Sequence, residues 1–566
     1  MRWFAVPPEY RQSGWLPDLT AGLTLGILLI PQAMAYGLLA GVPPVYGLYA
    51  ALLPLLIYTL FASSPHVTVG PTALASLLCL NGLSGLAEPF TPEYLGYAVL
   101  LAGLTGVLQL AFGLLRLGGI VSLLSRPVLS GFVSAAAVLI IVSQVDALLG
   151  METEGGSYLH ETLFSFWTGR GSFHWPSALL GTLALASLFG ARRWLPARFP
   201  VMLVLIVVST LLVALLGRGW EMATLGDIPS GLPGLSVPLS GWSDVRALLP
   251  VALVLALISF IETLSIGKTF VARHTYYRLT PNRELVALGL SKIVGAFTQS
   301  IPTSASFSRS AVLENSGGRT ALANGVAVVL LGAVLLFLTP AFYYLPIPVL
   351  AAIIIFSVRN LFDLAEMRRL YRLAPRELAT LLITFFFTLF AGLQWGIAGG
   401  VVLSLFFVFW RAARPHLAEL GRIPGTNAFR NRERFAGAEL DPAVLIVRFD
   451  AELYFGNAEY FRDRMEALIR EKGEALRAVI IDGHTINDVD TSGLYVLANF
   501  QEALQQRGVD LYLCGMIGPV RDKVFRYGLM EKMGAARHFL SIQGALRYLE
   551  QGVEERGWDL PAVQHK

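Results

Sequence analysis

Arg309 stands in SIPTSASFSRSAVL, Ser300 to Leu313, inside an otherwise apolar half of the chain. An arginine near the middle of a bilayer costs about 3 kcal/mol even on the lenient insertion scale, so a chain that keeps one there gives it a charge to neutralise. Glu262, in SFIETL of a long apolar run, is the natural second charge. Thr72, Thr303, Ser306, Ser308 and Gln32 can donate hydrogen bonds to an oxyanion while Arg309 neutralises it. Ala73 and Phe307 stand beside these residues in the two short segments and are counted with them as substrate-binding. The chemistry implied is reversible coordination of a small anion. A static Glu262–Arg309 ion pair that only fixes helix packing is the alternative. Thr72, Ser306 and Ser308 equally suit close helix approach. Lys292 is expected to snorkel or pair at a helix end, Asp146 to lie near the outer boundary, and Glu314 to cap a short helix.

Two broken segments must position these groups. In TVGPTALASLL, Thr68 to Leu78, the Gly70-Pro71 pair interrupts the chain, and Pro71 suits a first helical turn, where no backbone N–H bond is lost. Pro302 and its Ser/Thr neighbours do the same in the second segment. Residues 71–86 and 304–315 are too short to span a membrane comfortably. Two helix N-termini would then face each other at mid-membrane, and their free N–H groups and positive dipole ends favour an anion where protein or a water-filled cavity surrounds them.

The surroundings are lipid. Of 566 residues 55% are hydrophobic and 14% charged, against roughly 25% charged in soluble proteins. Besides the two short segments, apolar runs lie near 17–38, 44–62, 93–115, 125–149, 177–191, 199–217, 247–270, 284–299, 319–339, 347–362, 377–394 and 396–412, giving 14 segments. An even number puts both termini on one side. With that side cytoplasmic, the inner loops hold nineteen Lys and Arg, from Arg2 to Arg414, and the outer loops only Arg170, Arg218 and Arg246. The opening MRWFAVPPEYRQSG lacks the pattern of a cleaved signal peptide and is expected to be retained. A cell-membrane, multi-pass protein with cytoplasmic termini follows.

Sliding the second half onto the first places Gln32 on Glu262 and Gly37 on Gly267. Each half has a long first helix with a polar residue in its middle, then one interrupted short segment. Seven segments per half is odd, so the repeats, about 16–218 and 247–412, are inverted in the membrane. Short, Gly/Pro-broken segments at matching places are the best sequence pointer to a transporter's binding site.

The remainder reads as soluble. Residues 1–415 are assigned to the membrane part, 416–430 to a Gly/Pro-punctuated linker, 431–556 to a small α/β domain and 557–566 to a tail. Strands are expected at 443–450, 477–483 and 510–514, and helices at 458–471, 492–507 and 519–527. In DVDTSGL, Asp488 to Leu494, Ser492 opens a helix that could accept a phosphate or nucleotide. The alternative is that Asp490, Thr491 and Ser492 merely cap the helix.

Four passages, PQAMAYGLLAGVPPVYGLYA, HVTVGPTALASLL, GDIPSGLP and FSRSAV, closely resemble the SulP sulfate permease family, the solute carrier 26 type anion transporters. The soluble part resembles the STAS domains, named for sulfate transporters and anti-sigma-factor antagonists. The resemblance implies an α-helical polytopic fold of two inverted repeats divided into core and gate, an anion between the third and tenth segments, a homodimer, and elevator-like motion. It also implies anion binding at Gln32, Ser308 and Arg309, and proton coupling at Glu262. Sodium-coupled cyanobacterial bicarbonate members carry Asp at that position, so Glu262 points to protons rather than sodium. Ser492 matches the serine phosphorylated in anti-sigma-factor antagonists.

Proton-coupled sulfate uptake is the expected function. Bicarbonate, chloride or dicarboxylate transport is the alternative within the class, and a membrane-anchored sensor or scaffold, with a cytosolic partner of the STAS domain, the alternative outside it. Cys79 and Cys514 supply neither a disulfide framework nor metal spacing. No nucleophile–base pair, metal cluster or Walker loop supports an enzyme, a net charge of +4 does not argue for nucleic acid, and no cofactor is expected.

Overall fold

The computed structural model describes residues 15–119, 125–151, 159–169, 173–194, 200–216, 222–237, 241–274, 276–534 and 537–552. Arg2, Arg11, Arg170, Arg198, Arg218 and the tail at 557–566 lie outside the described residues. The chain forms two compact units, Met1–Ser404 and Leu405–Lys566.

The first unit begins with α1 (Leu16–Leu39) and α2 (Pro44–Phe61), then a two-residue strand β1 (Val69–Gly70) leading into α3 (Ala73–Leu83). There follow α4 (Pro92–Leu114), α5 (Arg126–Ser143), α6 (Val145–Leu149), α7 (Leu159–Gly169), α8 (Trp175–Trp194) and α9 (Val201–Leu216). Its second half repeats the plan with α10 (Trp242–Val271), α11 (Pro281–Phe297), a strand β2 (Ser304–Ala305), α12 (Phe307–Asn315), α13 (Leu322–Phe337), α14 (Ile347–Val358), α15 (Leu364–Leu373), α16 (Pro375–Ala391) and α17 (Leu393–Ala413), within which the boundary between the units falls. With α5 and α6 taken as one run interrupted at Gln144, the fourteen expected segments have their helices; α7 and α15 are additional. Among the described residues five helical runs, α1, α2, α4, Arg126–Leu149 and α10, are long and apolar enough to cross a bilayer alone. Pro in the first turn opens α2, α4, α5, α11, α14 and α16, where its missing N–H removes no helical bond.

Helices α1, α2, α4, α10, α11 and α13 pack on one another, and α5, α6, α8, α14 and α16 form a second group. In lipid such contacts depend on close backbone approach. Gly106 of α4 and Gly289 of α11 face each other, and a Cβ on Gly289 would come 2.6 Å from Leu110 N. A Cβ on Gly47 of α2 would stand 1.9 Å from Ala33 O of α1. Overpacking of this kind costs about 3 kcal/mol at the upper end of its usual range. Gly47→Ala is therefore expected to cut the yield of monodisperse protein on size exclusion severalfold. Yield equal to the parent would show that α1 and α2 can separate without loss.

The second unit is a six-stranded sheet of order β4-β3-β5-β6-β7-β8, built from β3 (Leu417–Arg422), β4 (Phe429–Asn431), β5 (Val444–Phe449), β6 (Ala478–Asp482), β7 (Asp510–Cys514) and β8 (His538–Phe539). The strands β5 to β8 are parallel, while β3 pairs antiparallel with both β4 and β5. The helices are α18 (Ala458–Lys472), α19 (Thr491–Gln506), α20 (Gly518–Arg526), α21 (Leu529–Met533) and α22 (Ile542–Gln551). One apolar core joins α18 to α21 to the sheet, and a second holds α22 on the opposite face. The segment 416–430, expected to be a linker, is corrected: most of it is the strand pair β3–β4. The first five residues of β3 are buried, because β3 extends the hydrogen-bonded ladder of β5.

Candidate functional site

The two interrupted segments meet. Val69 pairs with Ala305 and Gly70 with Ser304 in an antiparallel register, and Ser306 N donates to Thr68 O at 3.1 Å. This pairing satisfies backbone groups that no helix serves. It also places the starts of α3 and α12 side by side. Thr72 is the N-cap of α3, accepting from Ala75 N at 3.3 Å, and Ser306 is the N-cap of α12, accepting from Arg309 N at 3.5 Å. Pro71 therefore precedes the cap rather than filling the first turn, a correction to the expected geometry. Its carbonyl oxygen is thereby left free, and it accepts from Arg309 Nη1 at 2.8 Å.

Arg309 is fully buried, yet its Nε and Nη2 atoms meet no hydrogen-bond acceptor among the described residues. These two N–H groups form the lateral fork of the guanidinium, the edge that matches a carboxylate or other oxyanion bidentately. An unmet buried donor costs about 1–3 kcal/mol, and more when it is charged, so these two N–H groups are open to an acceptor. The absence of a side chain at Gly70 gives the fork room: a Cβ there would lie 3.4 Å from Nη2.

Glu262, on α10, accepts from Ser304 Oγ of β2 and does not pair with Arg309. The static ion-pair alternative is thus not the arrangement found. The contact ties the carboxylate to the strand that positions α12. Gln32 on α1 is 2% exposed and its Nε2 lies 3.9 Å from Met202 Sδ of α9. One turn further, Tyr36 is buried and near enough to Arg309 to interact with it electrostatically. Ala73 is buried at the start of α3. Phe307 is 51% exposed and stacks on Phe270, with ring centroids 6.2 Å apart. Ser308 is exposed, whereas Ser310 is buried and accepts from Thr68 N at 3.0 Å.

Nothing in the order of the residues marks Gly70, Ser304 or Tyr36 as site members. Ser304 carried a signal, since it lies in the same hydroxyl-rich run; the extended backbone that turns it toward Glu262 did not show. Two further expectations are corrected. Lys292 does not snorkel or pair at a helix end: it is 2% exposed and donates to Gln109 Oε1 at 2.8 Å. Glu314 lies near the C-terminus of α12 and binds Arg273 and His274 at 2.9 and 2.8 Å, while Ser306 and Ser316 hold the cap positions of that helix. Asp146 sits in the first turn of α6, where its Oδ1 accepts from Ala147 N at 2.7 Å. Among the described residues no group of three or more His, Cys, Asp or Glu could hold a metal ion.

In the second unit Asp490 caps α19, accepting from Gly493 N at 2.7 Å and, with its other oxygen, from Phe455 N at 2.9 Å. Lys523 hydrogen-bonds Asp488 and holds that carboxyl below the usual range. Ser492 is half-buried in the first turn of α19 and lines a cavity of about 630 Å³ between α18 and α19. Capping thus falls to Asp490 and leaves the Ser492 hydroxyl without that task.

The sequence model of the sulfate permease family matches residues 16–384, and that of the STAS domain residues 437–545. The chain is 35% identical over 572 residues to the chloroplastic sulfate transporter 4.1 of Arabidopsis thaliana, covering 98% of this chain and 82% of that one. It is 33% identical over 540 residues to a probable sulfate transporter of Mycobacterium tuberculosis, covering 95% and 96%. Its fold matches that of the murine solute carrier 26 family member A9 anion transporter in the inward-facing state, with a TM-score of 0.87, 24% identity, and coverage of 96% and 94%. The transmembrane domain of the cyanobacterial bicarbonate transporter BicA matches 71% of this chain and 98% of that one, with a TM-score of 0.59 and 22% identity.

Proposed function

This chain belongs to the sulfate permease family, a family of transporters and not enzymes, and from that premise we propose that it carries sulfate inward together with protons. Anion transport is common to the family; the substrate and the coupling ion are our reading. The buried lateral fork of Arg309, between two paired helix starts, is the observation that supports it. A tetrahedral oxyanion can accept from that fork and face the N-termini of α3 and α12, where dipole and free N–H groups favour negative charge. The binding set is Gln32, Thr72, Ala73, Ser306, Phe307, Ser308 and Arg309, with Glu262 as the proton-carrying group. With Glu262 ionised, its charge compensates Arg309. A proton on Glu262 frees Arg309 and the helix ends to hold a dianion, so the two move together. The N-terminus and the STAS domain lie on the cytoplasmic side of the cell membrane, in keeping with the basic inner loops. Elevator-like motion in a homodimer completes the reading. A sensor or scaffold would have no use for a buried guanidinium with unmet donors.

The deciding experiment uses purified protein in liposomes, with radiolabelled sulfate, bicarbonate, chloride and fumarate under imposed proton and sodium gradients. Proton-driven accumulation of sulfate is expected. Accumulation of another of these anions instead would replace sulfate, and dependence on sodium would replace protons. No gradient- or exchange-dependent flux of any of them would remove the transporter reading.

Ser492 is proposed as a phosphorylation site, where added negative charge is favoured by the start of α19. Mass spectrometry of protein from its native cells checks it, and an unmodified Ser492 in every growth condition would dismiss it.

A further inference from the structure

Lys292 is a buried cation that the anion site leaves unused. It lies on α11, is 2% exposed, and donates to Gln109 Oε1 at 2.8 Å and Ser259 Oγ at 3.4 Å. Among the described residues no carboxylate stands in ion-pair contact with it. Its acceptors are themselves fixed. Gln109 Nε2 donates to Ala256 O at 2.8 Å and Ser259 Oγ at 2.7 Å, which turns the amide oxygen of Gln109 toward the ammonium. The close crossing of α4 and α11 at Gly106 and Gly289 brings the two side chains together. Filling that volume would need only a methionine. Holding an ammonium there on neutral acceptors is costly, and that cost calls for a role in which the charge is used.

Ser259 lies three residues before Glu262 on α10, hence on the same face one turn away. Glu262 in turn reaches Ser304 of β2, the strand leading to Arg309. Lys292 and Glu262 are near enough to interact electrostatically, as are Glu262 and Arg309. The titratable groups that share this interior are Glu262, Lys292, Arg309 and, from α1, Tyr36; Gln109 and Ser259 are neutral.

We infer that Lys292 is a positioning residue for coupling and charge selectivity, acting through Glu262 as a second positive charge of the transport core. With Glu262 ionised, its charge compensates Arg309 and Lys292 is left as the one uncompensated cation. A proton on Glu262 leaves two uncompensated cations, the charge of one dianion. This deepens the proton-coupled reading given above and rests on it.

The test measures sulfate uptake into proteoliposomes against pH, and the ratio of sulfate to nitrate uptake, for the parent and for Lys292→Met, Lys292→Gln and Lys292→Arg. Losing a nearby cation makes the carboxylate easier to protonate, so both neutral variants are expected to keep uptake alive to a pH about one unit higher. The same loss should lower the sulfate-to-nitrate ratio about tenfold, as expected for one missing charge facing a dianion. Lys292→Arg is expected to stay near the parent. In a Glu262→Gln background, Lys292→Met should shift the pH profile no further. Neutral variants with the parental profile and ratio would overturn the inference. So would two neutral variants that fail to fold beside a Lys292→Arg that folds but departs from the parental profile and ratio, because the arginine keeps the charge. Parental uptake indifferent to a pH gradient defeats the coupling reading itself, and the sulfate-to-nitrate ratio then judges Lys292 alone.

Discussion

Arg309→Gln is expected to lower sulfate uptake by about a hundredfold, since a charge-assisted bidentate contact is worth about 3 kcal/mol and each 1.4 kcal/mol is tenfold. Arg309→Lys keeps the charge but loses the fork, and about a tenfold loss is expected. Stability should move the other way. The Nε and Nη2 donors are buried and unmet in the protein, so removing them relieves a desolvation penalty, and the thermal midpoint of Arg309→Gln in detergent should equal or exceed that of the parent. Were Arg309 a packing element held by Pro71 O, the variant would melt earlier. A clear drop in the midpoint with uptake preserved would therefore strip Arg309 of its role in the site.

Glu262→Gln is expected to abolish proton-driven accumulation while sparing exchange. Glutamine resembles the protonated carboxyl in shape and charge and can still accept from Ser304 Oγ, so the geometry around β2 is kept. What is lost is the ability to release the proton. Each pH unit across the membrane is worth about 1.36 kcal/mol per proton, or tenfold in accumulation for one proton per sulfate. Under an inwardly directed gradient of one unit the parent should exceed the variant by about that factor, and at equal pH the two should exchange labelled sulfate at similar rates. Because uptake in the parent needs the protonated form, its rate should fall as pH rises, and the rate of the variant should not. If Glu262→Gln still accumulates sulfate under the gradient, the coupling group lies elsewhere.

Hydrophobic runs of spanning length are a one-dimensional property, and so the helices were legible from composition alone. The strands β5, β6 and β7 were equally legible, as short apolar runs between amphipathic helices. The start of α12 at Phe307 was not, nor was the start of α3 at Ala73. Both depend on the pairing of Val69–Gly70 with Ser304–Ala305, residues more than two hundred positions apart in the chain. The segment that holds β3 and β4 reads as linker because Gly and Pro punctuate it, and only the waiting edge of β5 makes part of it a ladder. Lys292 is a similar case: sequence gives its position along α11 but not the face that α11 turns to α4.

The sequence by itself determined the solvent of each part, the order of the spanning helices, the family, and which residue types a buried anion would need. Periodicity, composition and short motifs carry that information locally. Only the tertiary structure decided which edge of Arg309 stays free, that Glu262 bonds Ser304 rather than Arg309, and that Lys292 is buried against Gln109 and Ser259. Each of those depends on contacts between distant segments, and the free energy of a buried charge is set by such contacts rather than by its neighbours in sequence.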